Sequence, residues 1–236
     1  MIFECEVLNS DQLKLINSYY DEAVFKQGVI SKFGNDEVDE AYKKTKVMDQ
    51  NTSQFRKSLQ IVQDGVKSCH SFKSTFMIKE MTVPSFTEYD EGCHYDLHVD
   101  NLSIQGIKAH HSITLFLNDP DEYEGGALML TNGDRQWAYK CKAGSALIYP
   151  TGLEHCVEPV ISGSRRVAIF WATSLINSFF MRNQILSYGR CIERLMQYWE
   201  EKHGVKAPPE VLVPFCLLYT SPSPRDLSTS RMPSSA

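Results

Sequence analysis

The sequence predicts an α+β fold with a β-sandwich or barrel at its centre. Three observations carry this. Between about residues 70 and 174, short runs of β-branched and aromatic residues alternate with Gly-, Pro- and Asn-containing turns. Strands at this spacing are the pattern of a closed or two-layered β structure. Before and after them lie segments whose apolar residues recur at three- and four-residue steps, the helical period.

In chain order, residues 10–26 read as an amphipathic helix, with Leu13, Ile16, Tyr20, Ala23 and Val24 on one side and Ser10 or Asp11 as the cap. Residues 30–50 are polar and read as a loop. A second helix is predicted over 52–68, where Phe55, Leu59, Val62 and Val66 share a face. Strands are predicted at 76–83, 112–117, 127–130, 145–149 and 166–171. Pro120, Gly125-Gly126, Asn132-Gly133, Gly144, Pro150 and Ser162-Gly163 mark the bends between them. A helix over 176–203 follows, and the helices are expected to pack on one sheet face. This divides the chain into a helical portion (1–70), a β core with its C-terminal helix (71–205) and a tail (217–236). The tail is rich in Ser and Pro and reads as disordered. It also resembles translated adapter sequence found at the ends of metagenomic reading frames, so it is set aside from the fold.

Composition narrows the function classes. Of 236 residues, 42% are hydrophobic and 22% charged, ordinary for a globular chain. A net charge of −5 lacks the basic footprint of a nucleic-acid-binding surface. No apolar run reaches the roughly 18 residues of a membrane span. The seven cysteines are odd in number and form no CxxC pair, and the N-terminus lacks a signal-peptide layout. These features point to reduced thiols and a cytoplasmic protein.

The chemistry concentrates in two places. Tyr89 to Asp100 contains His94-x-Asp96 and His98-x-Asp100. Residues two apart on a strand face one side, so either pair can converge on an ion. A regular strand would set all four side chains in phase, yet 94 to 100 is too long a span for one metal. An isolated pair of this kind is more often an ordinary surface or core histidine. The second place is His155, with Arg165 ten residues later. Two imidazoles and a carboxylate on one face of a metal leave open positions for O₂ and an organic ligand, the pattern of non-haem Fe(II) oxygenases. A hairpin through 158–164 would set Arg165 opposite His155. An arginine beside a metal needs an anionic ligand between them. A dicarboxylate serves, one end on the metal and the other in the guanidinium fork.

Together these residues resemble the 2-oxoglutarate/Fe(II) dioxygenases of the prolyl-4-hydroxylase type, especially the PKHD-type hydroxylases. The similarity covers roughly 75–195. It rests on Tyr89-x-x-Gly92-x-x-Tyr95-x-x-His98-x-Asp100-Asn101, on Thr114 through Asn118-Asp-Pro120-x-x-Tyr123-x-Gly125-Gly126, on Tyr149-Pro150, and on Gly163-x-Arg165 with Trp171 six residues on. The tyrosine three residues before the ligand histidine selects His98 and Asp100 over His94 and Asp96.

The resemblance implies a double-stranded β-helix (jelly-roll, cupin-like) core. It implies Fe(II) on His98, Asp100 and His155, and 2-oxoglutarate held by Arg165 and Tyr89, with Tyr95, Thr114 and Trp171 about the pocket. It further implies O₂ as oxidant, ascorbate as a candidate reductant, and hydroxylation of an unactivated C–H with succinate and CO₂ as by-products. The substrate is a protein or peptide, a prolyl residue foremost, or a small molecule. Nothing in the sequence points to a membrane partner or indicates the oligomeric state. Two departures stand out: Ala127 replaces a frequent Glu after the glycine pair, and Phe116 stands where some relatives place a tyrosine. The competing readings are a cupin-like metal protein or non-oxidative enzyme on the same barrel, a binding module without turnover, and an oxygenase of alkylated bases.

Other residues read as structural. His110-His111 is expected at a solvated strand edge. Cys93 and Cys156 should face away from the site, and Met129, Met181 and Met196 should fill the core.

Overall fold

A computed structural model describes residues 2–32 and 35–208 of the chain. The elements run β1 (Phe3–Glu6), α1 (Ser10–Asp21), β2 (Phe25–Gln27), β3 (Ile30–Lys32), β4 (Asn35–Glu37), β5 (Lys43–Lys44), β6 (Lys46–Met48), α2 (Ser53–Ser68) and α3 (His70–Phe76). There follow β7 (Ile78–Met81), β8 (Ser85–Tyr89), β9 (His94–His98), β10 (Ser103–Ile104), β11 (Ile107–Lys108), β12 (His111–Phe116) and β13 (Tyr123–Gly125). The rest are β14 (Leu128–Asn132), β15 (Arg135–Tyr139), β16 (Ser145–Pro150), β17 (Glu154–Val157), β18 (Val160–Gly163), β19 (Arg165–Ser174) and α4 (Phe179–His203). Met1–Asn177 forms one compact unit and Ser178 onward a second. The latter contains α4, capped by Ser178 and ended by the left-handed Gly204. The expected tail at 217–236 lies outside the described residues.

Two antiparallel sheets build the first unit, as the double-stranded β-helix requires. The larger runs β1-β16-β12-β19-β8-β6-β2, with β7 also on β19; the smaller runs β15-β14-β17-β9-β5. The period of two divides each central strand between two cores. On β12, Ile113 and Leu115 face outward, as do Ala168, Phe170 and Ala172 on β19. They form one cluster with Ile16 and Tyr20 of α1, Phe55, Val62 and Val66 of α2, and Phe72 and Phe76 of α3. The alternate residues Phe116, Leu147, Tyr149 and Val167 meet Leu128, Leu130 and Val157 of the smaller sheet. Helices therefore cover one face of the larger sheet, and the smaller sheet covers the other.

Several local expectations are corrected. Helix α1 is capped by Asn9, whose side chain accepts from the Gln12 backbone in a capping box, not by Ser10 or Asp11. It ends at Asp21, short of residue 26, because Phe25 pairs with Met48 in β2–β6 and packs 5.7 Å from the Tyr20 ring. No Gly or Pro announces that stop. Helix α3 takes the start of the strand expected at 76–83; Met77, at φ 47°, reverses the chain into β7. The expected loop at 30–50 holds β3 to β6. His111 is buried on a central strand, 4.7 Å from the Phe76 ring, and is no edge residue. Met181 and Met196 are exposed.

Candidate metal centre

The cavity between the two sheets gathers residues from both. Tyr89, Thr114 and Trp171 come from the larger sheet, and Tyr95, His98 and His155 from the smaller. His155 sits on β17 directly opposite His98 on β9, with ring centroids 4.2 Å apart. Asp100 lies just past the end of β9. Its Oδ1 is 3.7 Å from His98 Nε2 and its Oδ2 3.6 Å from His155 Nε2. One ligand atom from each of the three lies within 4.8 Å of the others, a spacing that bonds of roughly 2 Å can bridge. Among the described residues this is the one such cluster.

A β-bulge decides which His-x-Asp pair takes part. Between the pairs His155–His98 and Val157–Tyr95, β17 contributes one residue and β9 two, Asp96 and Leu97. The extra residue reverses the phase of β9. Tyr95 and His98, three apart, therefore share a face, and their rings stack at 3.6 Å. His94 falls outside, with Nε2 3.1 Å from the Ala41 carbonyl, and Asp96 is exposed. A regular strand would not have separated the two pairs.

Each ligand candidate is oriented from behind. His98 Nδ1 lies 2.7 Å from the Asp96 carbonyl and His155 Nδ1 2.9 Å from the Leu153 carbonyl. An N–H at Nδ1 is the arrangement that satisfies a carbonyl, which leaves Nε2 of both rings facing Asp100. Burial, then the adjacent His155, pushes the His98 imidazole pKa down to about 4, so the ring is neutral near pH 7. Ser112 Oγ and Trp171 Nε1 both donate to Asp100 Oδ2, at 2.7 and 2.8 Å. Oδ1 is then the oxygen left for a cation. Such contacts behind the ligands fix geometry and basicity. The sequence does not single out Ser112, and the resemblance gives Trp171 only as a pocket wall. The signal was there: 112 and 114 share a face of β12, as 165 and 171 do on β19.

Arg165 reaches the cavity from the opposite sheet. The expected hairpin pairing it with His155 is absent: β17 pairs with β14 and β9, whereas Arg165 opens β19 and pairs with Tyr89 of β8. Its side chain is 1% exposed, and its guanidinium carbon lies 4.9 Å from the Tyr89 ring and 5.4 Å from Phe116. Among the described residues, its Nε and Nη1 are buried without a hydrogen-bond partner. A Cβ on Gly126, at φ 61°, would stand 3.2 Å from the Arg165 Cδ, so the glycine makes room for this side chain. Arg166 faces the other way and is bound to Glu88 at 2.9 Å and Asp21 at 2.8 Å. Burial pushes the Tyr89 and Tyr149 phenols up, which keeps both as neutral donors.

The two sheets thus bring a His-Asp-His cluster across from a buried arginine that has no carboxylate partner among the described residues. Residues 84–173 match the model of the 2OG-Fe(II) oxygenase superfamily. A PKHD-type hydroxylase of Acaryochloris marina is 40% identical over 47% of this chain and 51% of its own length. One from a Picosynechococcus species is 31% identical over 72% of this chain and 77% of its own. The chain belongs to the PKHD-type hydroxylases. Among solved structures, a Trichoplax adhaerens prolyl hydroxylase in complex with a hypoxia inducible factor peptide has a TM-score of 0.58. It is 17% identical and covers 73% of this chain and 83% of that one, a likeness of fold. The enzyme is therefore an Fe(II)- and 2-oxoglutarate-dependent hydroxylase. No described helix is long and apolar enough to cross a membrane.

Proposed function

We propose that His98, Asp100 and His155 hold the ferrous ion, that Arg165 and Tyr89 hold 2-oxoglutarate, and that the enzyme hydroxylates a prolyl residue of a peptide or protein. The observation that carries the site assignment is Arg165. A buried guanidinium with unsatisfied N–H groups is costly unless an anion completes it. It faces the same cavity as the three ligand candidates. A dicarboxylate chelated at one end and forked at the other meets both demands. The proline assignment is supported by the fold shared with the Trichoplax prolyl hydroxylase and its bound peptide.

The protein's own part is positioning and exclusion of water. His98 and His155 present Nε2, and Trp171 and Ser112 hold the carboxylate of Asp100 in one orientation. Leu128, Val157 and Ile169 line the cavity with apolar surface. When bound, iron and 2-oxoglutarate supply the oxidising chemistry, O₂ being consumed and succinate and CO₂ released as a hydroxyl group is delivered.

Purified protein supplied with Fe(II), O₂ and 2-oxoglutarate should form succinate, and a proline-containing peptide pool should gain the mass of one oxygen. His98→Ala and Asp100→Ala should each abolish both. Arg165→Met should weaken 2-oxoglutarate binding by roughly 10- to 100-fold, the loss of charge-assisted hydrogen bonds. Succinate formation that survives both ligand substitutions refutes the metal assignment. Hydroxylated products without proline refute the substrate.

A further inference from the structure

We infer that Lys43 anchors the prime substrate and selects one that carries a carboxylate close to the C–H bond to be oxidised. This rests on the oxygenase reading above and adds a substrate class to it. Lys43 lies on β5, the edge strand of the smaller sheet, directly opposite Tyr95 of β9. That register turns its side chain into the cavity that holds His98, Asp100 and Arg165. Its Nζ sits 4.6 Å from the Tyr95 ring centroid and donates to the Val29 carbonyl at 3.0 Å. An aromatic face and one carbonyl steer the ammonium without neutralising it.

Charge then decides the role. Among the described residues no carboxylate lies within ion-pair distance of Lys43 Nζ, whereas the nearby Lys26 and Lys46 are matched by Asp49 and Asp90. In the loaded site, a ferrous ion, the Asp100 carboxylate, the 2-oxoglutarate dianion and the Arg165 guanidinium cancel one another. Lys43 is left over. A half-buried cation in a cavity walled by apolar groups favours an incoming anion, because neither water nor protein screens it fully. Burial already pulls its pKa down, and Asp100 is the group that opposes this. Arg165 is deep and committed to the co-substrate. Lys43, on an edge strand and less buried, is placed for what enters afterwards. An ammonium on a flexible stem is a point charge rather than a fork, which suits a single carboxylate.

The test uses the anaerobic full-length protein loaded with Fe(II) and 2-oxoglutarate, whose visible charge-transfer absorption reports the chelate without turnover. N-acetyl-L-proline and its amide form one probe pair. Capped proline peptides carrying Glu or Gln next to the proline form a second, which separates a free acid from an acidic side chain. In the wild type, one acid should perturb the band with affinity about tenfold above that of its neutral partner, the effect of one charge-assisted hydrogen bond. Lys43→Met should bring acid and neutral partner within about twofold, and Lys43→Arg should restore the preference. Equal response to acid and neutral probe, no response to either pair, or a preference that survives Lys43→Met overturns the inference. Loss of the band itself in Lys43→Met also overturns it, because the lysine then serves the co-substrate. No band in the wild type overturns the oxygenase reading and the inference with it.

Discussion

Asp100 shows how a single side chain is made ready for a metal. Two donors converge on Oδ2, from Ser112 and Trp171, and both come from the sheet opposite His98 and His155. The indole is fixed in turn by the strand that carries Arg165. Removing it should loosen the carboxylate without removing a ligand. Trp171→Phe is expected to weaken metal affinity by roughly 10- to 100-fold, the usual cost of losing such a partner. A competition titration with Mn(II) or Co(II) would measure it, and an unchanged affinity would show that Ser112 suffices. At this scale the ligand types were legible in the sequence, since few residues but His and Asp serve such a site. Their partners were not. A serine and a tryptophan acquire that role only when two distant strands are brought face to face.

Among the elements, β9 matters most. Its bulge at Asp96-Leu97 allows Tyr95 and His98 to face inward together and sends His94 outward. Alternation alone could not separate the two His-x-Asp pairs, because the extra residue is a property of the pairing with β17. Deleting Leu97 should remove the bulge and leave Tyr95 and His98 two apart on a regular strand, where they keep a common face. Fe(II) and Co(II) binding should then survive while the far-ultraviolet spectrum keeps its β signature. Loss of binding would show that the bulge itself, and not the shared phase, positions His98. Strand β19 gives the opposite lesson. Regular alternation separates Arg165, buried in the cavity, from Arg166, which ties the larger sheet to α1 through Asp21 and to β8 through Glu88. That separation was readable from the sequence because β19 keeps its period through Ser174. The end of α1 and the whole of α3 were not readable. Both are set by packing on the larger sheet, through Phe25 on Tyr20 and through Phe72 and Phe76 in the shared core.

For the molecule as a whole, the division of the site between two sheets couples ligand binding to stability. His98 and His155 lie on the smaller sheet, and Arg165 and Tyr89 on the larger. Fe(II) with 2-oxoglutarate would therefore clamp one sheet to the other. At about 100 times its dissociation constant, a ligand adds roughly 2.7 kcal/mol, or some 5–10 °C in melting temperature for a domain of this size. The shift should need both components, fall away with a chelator, and be small in Arg165→Met. A full shift with metal alone would show that the sheets are not bridged by the co-substrate. By itself the sequence determined the composition of the site, the order of its parts and the β-rich core, because ligand chemistry and residue period are local properties. Tertiary structure alone decided that His155 and Arg165 stand on different sheets instead of one hairpin, and that Lys43 enters the same cavity. The physical reason is that strand register is settled by hydrogen bonds between segments far apart in the chain, and no local pattern encodes which strand a given edge will meet.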